Sequence, residues 1–296
     1  MEVLFLGTSS MVPTAERNHS AILLTYENER ILVDCGEGTQ RQFKIAKTSP
    51  TKITKILITH WHGDHVLGLP GLMQTLATSE YSGTLEIYVP KGTGKNVDRM
   101  FEFFMMFGKL KYKVIEVSPG KFFENDLFIL EAFPLGHCVK DLGYVLIEKD
   151  KRKIDLDYLK KFNLKENPII KKLKKGEDIV WEGKKIKASL ATKTIKGRKL
   201  GFIMDAQYDK ELIKNVKSCD VLVCESSFCD DCKEMAKEKK HLTAKQAAKI
   251  AKGAKVKELY LTHFSQRYKD VKCFEKEAKE YFSNVKLAKD FLKVFL

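Results

Sequence analysis

The chain has few of the features that mark secreted or membrane proteins. Its 296 residues contain no apolar run long enough to cross a membrane, and no signal peptide precedes Met1–Leu4. The seven cysteines are odd in number and scattered, which argues against a disulfide framework. We therefore expect an intracellular, cytoplasmic protein that has no membrane partner and is long enough to bury a large core.

The closest spacing of cysteines is at Cys224, Cys229 and Cys232, which include one Cys-x-x-Cys pair. A structural zinc site normally needs four ligands and a second pair of this kind. Free thiols on a loop are therefore favoured, with a small metal site or a disulfide as the alternatives.

Histidine is also scarce, yet three of the seven histidines lie within residues 60–65. This segment reads His-Trp-His-Gly-Asp-His and follows the apolar run 55–59. A strand that ends in such a cluster presents alternate side chains on a tight turn. His60 and His62 can then reach one metal ion, and Asp64 and His65 a second one beside it. A chance surface cluster is the alternative, but the pattern predicts a metal site.

Other residues of the same chemical types follow apolar segments elsewhere. His137 comes after Phe133–Leu135, Asp205 after Phe202–Met204, and His263 after Leu259–Thr262. Each alone is most simply a turn residue, but α/β proteins place chemistry at strand ends. Two four-coordinate metals that share one carboxylate need seven protein groups. The candidates are His60, His62, Asp64, His65, His137, Asp205 and His263.

The net charge of +14 is concentrated in one segment. Residues 149–187 hold 14 basic and 7 acidic side chains, and so supply half of the excess. A phosphate-rich partner explains such a segment through counterion release. A Lys- and Glu-rich surface of the thermophile type is the other interpretation, and the two are compatible.

Hydrophobic patterning predicts alternating strands and helices. The predicted strands are 3–6, 21–26, 31–33, 56–59, 85–89, 112–117, 128–133, 144–148, 201–204, 221–224 and 259–262. The predicted helices are 39–46, 66–78, 95–107, 210–216, 244–254 and 274–282, the fifth with a capping box formed by Thr243 and Gln246. Strand sets before and after residues 150–200, each followed by helices, fit two sheets packed face to face with helices outside.

The motif at residues 60–65 with the later ligands resembles the metallo-β-lactamase superfamily. Further segments resemble its ribonuclease Z (tRNase Z) branch in the short form. They are Gly7–Ser10, Pro13–Asn18, Asp34–Gln40, Pro134–His137 with Gly143-Tyr144, His241–Thr243 and Thr262–Tyr268. The resemblance spans nearly the whole chain. It implies an α/β fold, the four-layer αβ/βα sandwich, as a single domain over 1–296 with metals at one edge between the sheets.

The resemblance also implies an activity, which is hydrolytic removal of the 3′ trailer from precursor tRNA. His60, His62, His137 and Asp205 would hold one Zn²⁺, and Asp64, His65, Asp205 and His263 a second, with hydroxide between them attacking phosphorus. Two Zn²⁺ per subunit are expected, with Mn²⁺ or another divalent ion as the alternative.

Further roles follow from the resemblance. Asp64 would also orient or deprotonate the water. His241, held by Glu225, would protonate the leaving 3′ oxygen, and Asp34 would orient a ligand histidine. The products would be a 3′-hydroxyl on the tRNA and a 5′-phosphate on the trailer. A homodimer is expected on the same ground.

Residues 150–187 match the flexible tRNA-binding arm, or exosite, of that branch. Its basic side chains are Lys171, Lys172, Lys174 and Lys175. The chain has Asn167-Pro168 where the family has Gly-Pro, and a plain surface hairpin is the alternative.

Arg17, Asn18 and Arg267 are the other candidate RNA contacts. Ala15 replaces a family lysine in the loop that would read the RNA 3′ end, and His19 is expected to make local hydrogen bonds.

Two other function classes stay open at this point. One is a hydrolase of a small ester, such as a cyclic-nucleotide phosphodiesterase or an arylsulfatase, which the basic segment and Thr262–Tyr268 disfavour. The other is a non-catalytic RNA-binding module with a relic site, which the retention of all seven ligand types disfavours.

Overall fold

The computed structural model describes residues 1–104 and 110–296, and the backbone divides into two compact units. The sandwich unit comprises Met1–Phe123, Leu130–Leu146 and Lys199–Leu296. The inserted unit comprises Glu124–Ile129 and Ile147–Arg198. Within the residues described, no helix is both long and apolar enough to cross a membrane.

In chain order, the strands of the described residues are β1 (Glu2–Gly7), β2 (Ala21–Tyr26), β3 (Glu29–Val33), β4 (Lys55–Leu57), β5 (Thr84–Pro90), β6 (Lys111–Val117), β7 (Gly120–Glu124), β8 (Phe128–Phe133), β9 (Gly143–Glu148), β10 (Lys151–Ile154), β11 (Ile179–Trp181), β12 (Lys184–Ile186), β13 (Thr192–Ile195), β14 (Lys199–Ile203), β15 (Val221–Glu225), β16 (Glu258–Thr262), β17 (Val285–Leu287) and β18 (Lys293–Phe295).

The helices of the same residues are α1 (Thr39–Ile45), α2 (Gly63–Val66), α3 (Leu69–Thr78), α4 (Lys95–Phe103), α5 (Leu156–Lys160), α6 (Ile170–Lys174), α7 (Ala188–Ala191), α8 (Glu211–Asn215), α9 (Lys233–Glu238), α10 (Ala244–Gly253) and α11 (Lys272–Lys279). Short 3₁₀ helices span Pro50–Lys52 and Asp230–Cys232.

Two mixed seven-stranded sheets form the sandwich unit. One has the order β18-β1-β2-β3-β4-β5-β6, and the other β17-β16-β15-β14-β9-β8-β7. The sheets face each other, since the rings of Phe5 and Tyr260 are 5.9 Å apart and Tyr144 donates to the carbonyl of Ile58 over 2.6 Å. Apolar side chains of α1, α3 and α4 join the core of the first sheet, and α10 contacts β15 and β16 of the second. The predicted α/β four-layer metallo-β-lactamase sandwich is confirmed.

The parallel pairing of strands in each sheet determines where the site lies. Strands β3, β4, β5 and β6 pair in parallel, as do β14, β15, β16 and β17. Because parallel strands end at the same edge of a sheet, the polar residues that follow β3, β4, β14 and β16 gather at one edge of each sheet.

Each predicted strand is present, with ends that differ by two residues or fewer. The capping box at Thr243 is confirmed, with both of its hydrogen bonds present. The predicted helix 66–78 is wrong at its start, where α2 and α3 are separate. A Cβ on Gly68, between the two helices, would lie 1.9 Å from the carbonyl oxygen of Gly36, so this close approach requires glycine there. The end of the predicted helix 95–107 lies outside the described residues beyond Phe104.

The inserted unit holds more structure than a plain hairpin. It contains the antiparallel pairs β10–β13 and β11–β12 together with α5, α6 and α7. Its own apolar cluster consists of Leu159, Leu164, Leu173, Ile179, Ile186, Ala188 and Ala191. The segment 150–187, predicted to be an arm, lies within this unit.

Candidate metal centre and active-site cleft

The seven side chains predicted to bind metal lie on loops and helix starts of the sandwich unit. His60 and His62 follow β4, and α2 carries Asp64 and His65. His137 lies between β8 and β9, Asp205 lies two residues after β14, and His263 directly follows β16. His62 is partly exposed and the other six are buried.

Four of these side chains form a first group. His62 Nδ1 lies 3.0 Å from His60 Nε2 and 3.3 Å from His137 Nε2. Asp205 Oδ2 lies 3.6 Å from His60 Nε2 and 3.7 Å from His137 Nε2. One ligand atom of each residue lies within 4.8 Å of the others, which is close enough to hold one ion.

A second group shares Asp205 with the first. His65 Nε2 and His263 Nε2 are 3.3 Å apart, and Asp64 Oδ2 lies 3.3 and 3.2 Å from them. Asp205 Oδ1 lies 3.3 Å from His65 Nε2 and 3.1 Å from His263 Nε2. The two oxygens of Asp205 thus point to different groups, which is the geometry of a bridging carboxylate.

The donor set fits divalent metal ions. Ring nitrogens of different histidines face one another at 3.0–3.3 Å, which places their lone pairs around a shared point. Asp64 Oδ1 is buried and has no hydrogen-bond partner among the described residues. Nitrogen and carboxylate oxygen in groups of four suit Zn²⁺.

The electrostatics of His60 and Asp64 agree with that fit. Burial, together with the neighbouring His65, holds the pKa of His60 well below its usual range, so this imidazole is neutral as a ligand must be. Burial tends to raise the pKa of Asp64, but His65 and His263 outweigh it and the net shift is downward. Both groups therefore hold the protonation states that metal ligation requires.

The far ring nitrogens of four histidines have fixed partners. The pairs are His60 Nδ1 with Thr59 Oγ1 at 3.0 Å, His65 Nδ1 with Asp34 Oδ2 at 2.7 Å, His137 Nδ1 with the Lys240 carbonyl at 2.9 Å, and His263 Nδ1 with Ser227 Oγ at 2.9 Å. Such partners fix the ring orientation and raise ligand basicity. Sequence reasoning named Asp34 and missed Thr59, Ser227 and the Lys240 carbonyl.

Another residue that sequence reasoning missed is Asp141. Its carboxylate accepts from the backbone N–H of His137 at 2.7 Å and of Gly136 at 3.2 Å, and so fixes the loop that carries His137. No motif pointed to Asp141, because its role depends on a local turn rather than on its own chemistry.

Two site residues have left-handed backbone conformations. Asp34 has φ of 59° and His263 has φ of 62°, and neither is glycine. Such conformations cost free energy and persist where surrounding contacts fix them. Asp34 Oδ1 accepts from the Thr59 amide at 2.8 Å, which supplies one such contact.

Glu225 and His241 lie beside the two groups, and with His263 they form a third set whose ligand atoms lie within 4.8 Å of one another. His241 Nδ1 lies 3.1 Å from Glu225 Oε1, which also accepts from the amides of Ala206 and Leu242. Burial tends to lower the pKa of His241, but the carboxylates of Glu225 and Asp205 outweigh it and raise that pKa to about 9. His241 is therefore protonated at neutral pH, and Glu225 is the residue that positions it.

One cleft of about 780 Å³ gives access to this chemistry. His62, Asp64, His137, Asp205, His241 and His263 all contribute to its lining, as do Met11, Val12, Phe228, Lys239 and Arg267. Five of the seven proposed ligands and the Glu225-bound His241 therefore face the same space.

Comparison with known proteins agrees with this architecture. The metallo-β-lactamase superfamily model matches residues 14–143, and a β-lactamase superfamily domain model matches residues 183–264. A protein named Ribonuclease Z from Archaeoglobus fulgidus is 38% identical over 99% of this chain and 97% of its own length. The chain belongs to the ribonuclease Z family.

Two further relatives extend the family match. The Ribonuclease Z of Bacillus subtilis is 37% identical over 99% of this chain and 98% of its own. The crystal structure of human tRNase Z, short form, aligns with a TM-score of 0.73 and 29% identity over 100% of this chain and 99% of that one.

The predicted RNA contacts of this ribonuclease Z family member have different surroundings. The Arg17 guanidinium lies 5.5 Å from the centre of the Phe264 ring, and Arg267 lines the cleft. The side chain of Asn18 donates to the Glu37 carbonyl at 2.7 Å, and its backbone N–H donates to the Asp290 carboxylate. Asn18 therefore also stabilises the loop in which it lies. His19 bonds locally to the Met11 carbonyl at 3.0 Å, as predicted.

The four candidate lysines of the inserted unit lie on or directly after α6. Lys171, Lys172, Lys174 and Lys175 are all exposed, while Leu173 between them is buried in that unit's core. The core therefore orients these cations outward.

The seven cysteines are all free thiols, as expected. The expectation that Cys224 lies on a loop is wrong, because it is buried in β15. Within the described residues, no metal-competent group of three or more side chains includes a cysteine. The thiol nearest to Cys229 Sγ is that of Cys273, at 3.1 Å, rather than Cys232 of the sequence motif.

Proposed function

We propose that the protein is a metal-dependent endoribonuclease that removes the 3′ trailer from precursor tRNA by phosphodiester hydrolysis. Its products are a 3′-hydroxyl on the tRNA and a 5′-phosphate on the trailer. The observation that carries the proposal is the pair of ligand groups sharing Asp205 in one cleft with His241. The relatives named Ribonuclease Z and the human tRNase Z support the substrate class.

Two divalent ions fit the site, and zinc is the proposed ion because of the donor types, with manganese as the alternative. His60, His62, His137 and Asp205 would hold one ion. Asp64, His65, Asp205 and His263 would hold the other. When bound, the ions supply Lewis acidity that neutralises charge on a phosphoryl oxygen.

Asp64 acts on the attacking water. Its pKa lies below the usual range, so the carboxylate is ionised and only accepts protons. One of its oxygens has no hydrogen-bond partner in the described chain, which leaves that oxygen available to orient the water or take its proton.

His241 acts on the leaving group. Hydrolysis at phosphorus expels the 3′ oxygen of the upstream nucleotide, and that oxygen needs a proton. His241 lines the cleft, and Glu225 keeps its imidazole protonated and holds Nδ1, which leaves Nε2 to donate.

Binding of the tRNA body is assigned to exposed cations. Lys171, Lys172, Lys174 and Lys175 of the inserted unit contact phosphates, and Arg17, Asn18 and Arg267 contact the RNA near its 3′ end. A homodimer and a cytoplasmic location stay predictions, the first checked by sedimentation of the purified protein.

The test is incubation of purified protein with a 3′-extended precursor tRNA, with the cut mapped at nucleotide resolution. We expect one cut at the tRNA 3′ end, its loss with a chelator and its return with Zn²⁺ or Mn²⁺. Elemental analysis should give two metal equivalents per chain. Metal content that never exceeds one equivalent contradicts the shared-carboxylate arrangement, and cleavage that survives complete metal removal contradicts the mechanism.

A small phosphodiester and a cyclic nucleotide, assayed in parallel, separate this proposal from a small-ester hydrolase. Efficient turnover of either small substrate with no cleavage of precursor tRNA favours the hydrolase.

A further inference from the structure

Two thiols outside the cleft lining lie in contact with each other, and the chemistry of the metal groups does not use them. Cys229 precedes the 3₁₀ helix Asp230–Cys232, and Cys273 is the second residue of α11. Their sulfur atoms are 3.1 Å apart although 44 residues separate them in the chain. Tertiary packing, rather than the Cys-x-x-Cys motif, therefore creates this pair.

The motif partner Cys232 has a different local role. Its amide donates to the Cys229 carbonyl at 3.0 Å, which closes the turn between the two residues. Within the described chain, these cysteines belong to no group of three or more residues able to hold a metal. The pair is therefore better suited to thiol chemistry than to metal binding.

The two thiols differ in access to solvent. Cys273 is exposed, whereas Cys229 is buried at 5% exposure. Burial and the neighbouring Cys273 raise the pKa of Cys229, and the same burial keeps solutes away from its thiol. An oxidant from solution therefore reaches Cys273 first, with Cys229 already in contact as the resolving thiol.

We propose that Cys229 and Cys273 are a redox modification site that closes to a reversible disulfide under mild oxidation by peroxide. The Cys273 thiol releases its proton, the thiolate attacks peroxide and breaks its O–O bond, and the hydroxide that leaves takes up a proton, which gives a sulfenic acid and one water. Cys229 Sγ then attacks the Cys273 sulfur while its proton passes to the sulfenic hydroxyl, so that the S–S bond forms and the hydroxyl leaves as a second water. The two thiols lose two electrons and two protons in total, and one peroxide accepts them.

The disulfide would fix the loop that carries Arg267. Tyr268 in this loop donates to Asp231 at 2.9 Å and accepts from the Cys229 amide at 3.1 Å. Its ring also packs on Phe274, next to Cys273, with centroids 4.8 Å apart. A covalent link between Cys229 and Cys273 would join the two segments that Tyr268 contacts. It would therefore raise the stability of the fold without adding a group to the cleft.

The experiment treats the full-length protein at low concentration with a small excess of hydrogen peroxide and then maps its disulfides by mass spectrometry after proteolysis. We expect a peptide pair joined through Cys229 and Cys273, with two hydrogens lost. The melting temperature should rise on the order of 5 °C, because the bond closes a long loop, and dithiothreitol should reverse both changes.

Matched serine variants decide the assignment. C273S, at an exposed position, should fold normally and lose both the linked peptide and the rise in melting temperature. C232S should behave like the parent protein in both measurements. A link between Cys229 and Cys232, a Cys273 that stops at sulfenic acid, or no oxidation of Cys273 would each overturn the proposal. These readouts do not depend on ribonuclease activity.

Discussion

The metal centre of the sandwich unit and the basic surface of the inserted unit use polar residues in opposite ways. Six of the seven proposed ligands are buried, and four of the histidines have a fixed partner on the far ring nitrogen. In the inserted unit, Lys171, Lys172, Lys174 and Lys175 are exposed. Within the described chain none of these four lysines lies in a salt bridge, and the buried residues beneath them are apolar.

The contrast shows that different parts of the chain orient the catalytic groups and attract the polyanionic substrate. A reaction needs groups held to a fraction of an ångström, which burial and hydrogen bonds provide. Attraction of a polyanion needs only positive charge near its phosphates, so exposed lysines on a small folded unit suffice. Changes at the metal centre should therefore affect rate, and changes on the inserted unit should affect affinity.

The largest expected effect is that of H62A. This change removes the side chain that lies between His60 and His137, so the metal content should fall. The rate of precursor cleavage should drop by about a thousandfold or more, because Lewis-acid stabilisation of the transition state is worth several kcal/mol. Elemental analysis and single-turnover cleavage measure this. Affinity for precursor tRNA should change by less than about threefold, since exposed charge dominates it. Full metal content in H62A contradicts the first group.

H241A should have the next largest effect. His241 belongs to neither of the two groups that share Asp205, so both metals and precursor affinity should be retained. The cleavage rate should fall about a hundredfold, the usual worth of general acid catalysis. Loss of a metal equivalent in this variant would make His241 a ligand instead of an acid.

Neutralising the inserted unit should weaken binding and leave the chemistry unchanged. Lys→Gln at positions 171, 172, 174 and 175 should lower the affinity for precursor tRNA about tenfold or more. The slope of the logarithm of the binding constant against the logarithm of salt concentration should become shallower by up to about three. Filter binding across a salt series measures both. The control is Lys→Gln at Lys160, Lys185, Lys193 and Lys196 in the same unit, which removes equal charge but from lysines paired with Asp157, Asp178, Asp155 and Asp150.

Charge substitution is a sharper test of this unit than replacement of residues 153–182 by a flexible linker. That deletion would remove Leu159, Leu164, Leu173 and Ile179 and expose Ile186 and Ala188 of the same cluster. Equal loss of affinity in the two quadruple variants would show that total charge, rather than the position of these lysines, governs binding.

The smallest expected effect is a shift in pH dependence. His241 acts when protonated, and the neighbouring carboxylates raise its pKa, so cleavage should fall as pH rises through the pKa of His241. E225Q removes a negative charge, which lowers that pKa and should move the alkaline limb of the pH–rate profile to lower pH by about one unit. H241A should lack this limb. An unmoved limb in E225Q would assign the titration to another group.

The sequence predicted the proposed ligands better than it predicted what surrounds them. Several histidines and aspartates that together follow apolar segments indicate few kinds of site other than a metal site. The seven positions could therefore be named from the sequence. Thr59, Ser227 and the Lys240 carbonyl could not, because hydroxyl and carbonyl groups occur throughout the chain. Their role depends on which ring nitrogen they meet in the folded protein.

The same limit applies to the fold. Long apolar strands could be predicted from their hydrophobic pattern. Short edge strands such as Val285–Leu287 and Lys293–Phe295 contain too few residues to show such a pattern. The core of the inserted unit was missed because its apolar residues are spread among lysines. The pairing of Cys229 with Cys273 depends on tertiary packing that spacing along the chain does not encode.

The most direct test of this separation measures kcat/KM for two substrates in two variants. The substrates are a 3′-extended precursor tRNA and a small activated phosphodiester, and the variants are H62A and the quadruple Lys→Gln change at positions 171, 172, 174 and 175. We predict that H62A loses both activities, and that the lysine variant loses only precursor cleavage while small-substrate hydrolysis stays within about twofold of the parent. A lysine variant that loses both activities equally, or retains both, contradicts the division between a buried catalytic centre and an exposed binding surface.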